Sequence, residues 1–194
     1  PTHQAVQDIA LMKTIPNMKI YTPADLNDLL ICLPSILKEK GPAYVRVIHT
    51  DSSITHDSYI QHRFERLVKG DDIAILTYGV LVEQCVLLSR ALKSNGYNAS
   101  VYNCRSVNPL DNELLDKLSE RKVPLIIVED HLAFGGLHTS ILHYYSDKTI
   151  INPILPINLG ESYFQPLLLN QLLEKGVFSV NSLKANIIDF INCT

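Results

Sequence analysis

Ile73-Ala74-Ile75-Leu76-Thr77 is the stretch that decides the fold. Five uncharged residues closed by Tyr78-Gly79 read as a strand buried on both faces, because a strand with one wet face alternates apolar and polar side chains. Directly after it, Leu81, Cys85, Leu88 and Leu92 recur at three- and four-residue intervals before Asn95-Gly96. That spacing predicts a helix over residues 81–94 with a glycine stop. The alternation then continues, with strands expected at 99–104, 125–129 and 154–158 and helices at 112–120, 135–145, 165–174 and 182–191. Strands and helices alternating through short connections imply right-handed crossovers and a mainly parallel, helix-covered sheet, the α/β class.

Upstream, residues 50–63 are polar, rich in Ser, His, Asp and Thr, and have no period. They read as a linker, assigned to 56–69, in which His56 and His62 sit on a solvated loop. The region before it reads helix (4–14), strand (19–22), helix, strand (43–48). In the second helix, Leu26, Leu29, Leu30, Leu33 and Leu37 share a face, Thr22 is the expected N-cap with Pro23 following, and Pro34 predicts a kink. Two units are therefore expected, 1–55 and 70–194.

Composition narrows the function classes. The chain of 194 residues is 46% hydrophobic with a net charge of -3, and its Lys and Arg are interspersed with acids, so it has no basic stripe for nucleic acid. No run reaches the ~18–20 apolar residues of a membrane span. Cys32, Cys85, Cys104 and Cys193 form no C-x-x-C pair and lie in apolar segments, as structural thiols of a reducing, cytoplasmic compartment do. Pro1-Thr2-His3-Gln4 has neither an initiator Met nor a charged leader, so the chain reads as cut from something longer.

In an open α/β sheet, ligands meet the carboxyl ends of the strands. Those ends carry Tyr78, Arg105, Glu129, Asp130 and His131, with Gly135-Gly136 opening the next helix and offering backbone N–H groups to an anion or a partner's carboxylate. Ordinary turn and capping duties account for the same residues equally well. There is no G-x-G-x-x-G and no G-x-S-x-G, and His138 and His143 do not share a helical face, so no metal pair is expected there. Residue chemistry alone names no reaction.

A family resemblance does. Pro1-Thr2-His3-Gln4 followed by Asp8-Ile9-Ala10-Leu11-Met12 and Ile15-Pro16-Asn17-Met18 resembles the transketolase stretch "GPTHQ…EDIALMRAIPNM". Pro23-Ala24-Asp25, Gly41-Pro42-Ala43-Tyr44-Val45-Arg46, Asn108-Pro109-Leu110-Asp111 and Val128-Glu129-Asp130-His131 with Gly135-Gly136-Leu137 resemble further landmarks of that family, in order. The wording is most similar to the separately encoded C-terminal subunits of split transketolases. The resemblance implies the latter half of a pyrimidine-binding domain followed by a transketolase C-terminal domain. It also implies thiamine diphosphate and Mg²⁺ in the complete enzyme, but none bound by this chain, since the activating glutamate and the "GDG…N" motif lie upstream in the family and no G-D-G occurs here.

Ketol transfer between sugar phosphates would follow, in a homodimer or with the missing N-terminal half. His3 matches the histidine beside cofactor and substrate hydroxyls, where it would handle protons; capping the following helix is the other reading. His49 falls where the family has a phosphate-gripping arginine, with Arg46 a nearby substitute on the opposite side of an alternating strand. A fragment of 1-deoxy-D-xylulose-5-phosphate synthase, a relative of the 2-oxo-acid dehydrogenase beta subunits, and a non-catalytic dimerisation module are the alternatives.

Overall fold

The computed structural model describes residues 5–47, 52–148, 152–162 and 169–193. His3 and His49 lie outside them. The chain runs α1 (Asp8–Lys13), β1 (Lys19–Tyr21), α2 (Leu26–Ile36), β2 (Ala43–Val45), β3 (Glu65–Val68), β4 (Ile73–Thr77), α3 (Leu81–Lys93), β5 (Ala99–Asn103), β6 (Ser106–Asn108), α4 (Asn112–Arg121), β7 (Leu125–Val128), α5 (Leu137–Tyr145), β8 (Ile154–Ile157), α6 (Leu169–Lys175) and α7 (Val180–Cys193). The larger sheet has the order β3-β5-β4-β7-β8, and the smaller one β2-β1-β6.

β4 is central, parallel to β5 on one side and β7 on the other. Its apolar run is buried throughout because each face has its own core. Ile73 and Ile75 pack with Leu81, Cys85, Leu88, Phe178, Leu183 and Ile187 under α3 and α7. Ala74 and Leu76 pack with Leu115, Leu118, Ile141 and Tyr145 under α4 and α5. That second core also takes in Ile9 of α1 and Ile20 of β1, so the first fifty residues share it.

The structure departs from the sequence reading at four points. Asp25, not Thr22, caps α2: its side chain accepts from the Asp28 N–H, while the Thr22 hydroxyl donates to the Cys104 carbonyl. Residues 65–68, within the stretch read as linker, form β3, antiparallel to β5; Glu-Arg-Leu-Val is too short and too charged to show a period. β6 was not anticipated either. It crosses to pair antiparallel with β1, so the second half of the chain completes the first half's sheet. Cys193 is exposed, unlike the other three thiols.

Candidate functional site

The strand-end residues separate into two buried polar clusters. The first is built around Arg46, just past β2. Its Nε lies 3.0 Å from Asp8 on α1 and one terminal nitrogen 2.6 Å from Asp130 beyond β7. The other terminal nitrogen donates to the Ala5 carbonyl at 3.0 Å, and the guanidinium lies over the Tyr78 ring, 5.6 Å from its centroid. The Tyr44 hydroxyl donates to the same Asp8 oxygen at 2.8 Å. Burial would lower the Arg46 pKa, but Asp130 and the other nearby acceptors raise it further above its ordinary value. Arg46, expected as a substitute phosphate partner, instead spends its donors on protein acceptors. A guanidinium fits such a joint because its planar fork can meet two carboxylates at once.

Glu129 stands beside it. The expected anion site at the start of α5 is filled by this side chain, which accepts the N–H groups of Leu137 at 2.7 Å and His138 at 3.2 Å. Tyr78 donates to it at 3.4 Å. Burial pushes the Glu129 carboxyl up to about 7, against the pull of those two amides. Gly136 is required by contact: a Cβ there would lie 2.1 Å from Glu129 Oε2. Gly135 combines φ of +86° with a Cβ position 2.3 Å from the Ala10 Cβ, so α1 and the α5 entry touch at backbone distance. His131 is buried and neutral in kind. One ring nitrogen accepts the Ala10 N–H at 3.4 Å, the other donates to the Leu132 carbonyl at 2.8 Å, and burial lowers its pKa.

Arg105 does not join this group. It sits in the second cluster, between β5 and β6, with its Nε 2.7 Å from Asp28 and a terminal nitrogen 3.0 Å from Glu65. Asn103 donates to both of those carboxylates, at 2.8 and 3.1 Å. His56, expected on a solvated loop, has a fully buried side chain here, 2.8 Å from Glu65 and 3.1 Å from Asp25. Its only sequence signal was the surplus of Asp and Glu at positions that must fold near it, and these are scattered from 25 to 65.

Asp28, His56 and Glu65 bring one ligand atom each within 4.8 Å of one another. Arg105 already lies on both carboxylates, so a cation is in place without an ion.

An open, mainly parallel sheet with helices on both faces and polar clusters at its strand ends defines an α/β protein. Residues 62–175 match the model of the transketolase C-terminal domain. The chain belongs to that family. It is 33% identical over 153 residues to 1-deoxy-D-xylulose-5-phosphate synthase of Shouchella clausii, covering 76% of this chain and 24% of that protein. It is 29% identical over 167 residues to a provisionally named transketolase C-terminal section of Methanocaldococcus jannaschii, covering 84% of this chain and 52% of that protein. A split gene transketolase, solved as an inactive beta4 tetramer, shares the fold with a TM-score of 0.86 at 23% identity, over 98% of this chain and 63% of that one. The chain thus spans about a quarter to a half of the length of these curated relatives. Among the described residues no helix is long and apolar enough to cross a membrane.

Proposed function

We propose that this chain is the C-terminal portion or subunit of a cytoplasmic, thiamine-diphosphate-dependent transketolase that transfers two-carbon ketol units between sugar phosphates. In this reading residues 1–55 complete a pyrimidine-binding domain, residues 70–194 form the C-terminal domain, and activity requires a partner carrying the cofactor machinery, within a homodimer or with a separate N-terminal half. The observation that carries it is convergence. Asp8, Tyr44, Arg46 and Asp130 come from three separate family-like motifs and meet in one hydrogen-bonded network, and Gly135 of the third motif packs on Ala10 of the first. A sequence that merely shared scattered words with the family would have no reason to bring them together.

Among the described residues, the carboxylates of the two clusters do not suit Mg²⁺. Hard cations want carboxylates free of other partners. Here Asp8 and Asp130 are bound by Arg46, Glu129 caps α5, and Asp28 and Glu65 are bound by Arg105. His3 is assigned to hydrogen bonding with substrate hydroxyls and His49 to a pH-dependent contact with the substrate phosphate. A second reading, as part of a 1-deoxy-D-xylulose-5-phosphate synthase, is favoured by the 33% identity to that enzyme. A non-catalytic dimerisation module is the third.

Calorimetry with thiamine diphosphate and Mg²⁺ should show no sub-micromolar binding by the chain alone. Adding the upstream half should restore ketol transfer, and in that complex His3→Ala should lower kcat/KM about 10²-fold or more. Tight cofactor binding by the isolated chain overturns the proposal. Formation of 1-deoxy-D-xylulose 5-phosphate by the complex selects the synthase, and a complex with neither activity selects the module.

A further inference from the structure

We propose that His56 is held as an imidazolium clasping the α2 side of the small sheet to the edge of the large one, and that loss of its proton releases residues 52–63. Donors and acceptors at the two ring nitrogens fix its charge. An ionised carboxylate only accepts hydrogen bonds, and a neutral imidazole keeps a lone pair on one nitrogen. His56 places Nδ1 2.8 Å from Glu65 Oε2 and Nε2 3.1 Å from Asp25 Oδ2, so it faces a carboxylate at both ends. Only the doubly protonated ring satisfies both. His131 shows the contrary arrangement in the same molecule, with one amide donor and one carbonyl acceptor.

The surrounding charges agree. From α2 and its cap come Asp25, Asp28 and Cys32; from β3 comes Glu65; from the β5–β6 connection comes Arg105, with Asn103 beside it. The segment itself adds the Asp57 main chain, bonded to Glu65 and Arg105, and the Tyr59 ring beneath Arg105. Three buried carboxylates thus face two cations, and without the His56 proton they face one. Removing one partner from a buried ionic network is strongly unfavourable.

Burial works against the charged ring, but Glu65, Asp28 and Asp25 raise its pKa to about 9. Burial and Asp28 push the Cys32 thiol up to about 12, so it stays neutral. The Tyr59 hydroxyl is also raised by burial, while Asp25 and Glu65 are held low by their hydrogen bonds despite burial. The two sheets remain joined through β1 and β6 when the clasp opens, so the expected change is local.

The test uses the full chain with ¹⁵N-labelled histidine. Long-range ¹H–¹⁵N spectra should show both His56 nitrogens protonated at pH 7.5, the signal being assigned by its loss in His56→Gln. Hydrogen exchange at residues 52–63, corrected for its intrinsic pH dependence, should then accelerate at least about tenfold between pH 7.5 and 10. In His56→Gln it should be fast at both. A single neutral tautomer at pH 7.5 overturns the proposal, and so does pH-independent protection in the wild-type chain. Micromolar Zn²⁺ that removes the imidazolium signal and raises the wild-type Tm, but not that of His56→Gln, would also overturn it, because the ring would then be a neutral ligand. The pH dependence of wild-type exchange at residues 52–63 decides the matter even if the variant does not fold.

Discussion

His56 and His131 differ by what their two ring nitrogens meet, and that difference fixes charge more firmly than depth does. Both are buried, yet one lies between carboxylates and the other between an amide and a carbonyl. Arg46 obeys the same logic with a group that cannot give up its proton. Its guanidinium is buried, and so are Asp8 and Asp130 on either side. Arg46→Met would keep most of the volume and leave two buried carboxylates without a cation. The expected loss is about 3–5 kcal/mol, because the cost falls on the charges left behind rather than on the missing attraction. Arg46→Lys should recover part of it, since an ammonium is a compact point charge and cannot present a planar fork to two acids. Urea unfolding of the three proteins measures this. A loss under about 1 kcal/mol for Arg46→Met would mean that water reaches the carboxylates.

At the scale of elements, α5 depends on a contact between its first turn and the end of β7. Glu129 takes two of the orphan N–H groups there, and Gly136 leaves the room for it. Gly136→Ala should therefore cost about 1–3 kcal/mol through displacement of Glu129 rather than through helix propensity. Gly136 has ordinary negative φ, so backbone strain contributes nothing. A double-mutant cycle with Glu129→Ala isolates the cause: the two changes together should cost clearly less than their sum, and strict additivity would sink the explanation.

This pair also marks where the sequence was readable. β4 and α3 were plain because a continuous apolar run and a 3.6-residue stripe are signals spread over many residues. β3 and β6 were missed because three or four residues carry no period, and β6 exists through its partner β1. Glu129 with Gly135-Gly136 was legible as a helix entry. That the anion there would be the chain's own, and that Arg105 would turn toward Asp28 and Glu65, depended on distances between segments far apart in sequence. Residues 52–63 form no helix or strand, in keeping with their lack of period, but nothing local in the sequence signals that the His56 side chain is buried.

For the whole molecule, the buried titrating groups combine into a stability profile. A group whose folded pKa is raised holds its proton more tightly in the native state, so stability falls as pH climbs between the unfolded and folded values. For Glu129 that window runs from its ordinary 4.5 to about 7, and for His56 from 6.5 to about 9. His131 and His138, lowered by burial, act in the opposite sense below 6.5 and oppose the Glu129 slope there. Asp25 and Glu65, held low by hydrogen bonds despite burial, withdraw stability only as acid protonates them below their ordinary values. The net expectation above these opposed contributions is a decline from about pH 6.5 to 9. The steepest slope should approach about 1.4 kcal/mol per pH unit, the value for one proton's difference between the two states. Thermal unfolding across pH 5–9 should show Tm falling over the upper half of the range. Glu129→Gln should change the profile only below about pH 7, whereas His56→Gln should flatten the decline above it. A wild-type Tm that rises from pH 7 to 9 would be incompatible with an imidazolium at His56. It would leave the fold intact but leave the three carboxylates of the second cluster facing the single cation that Arg105 supplies.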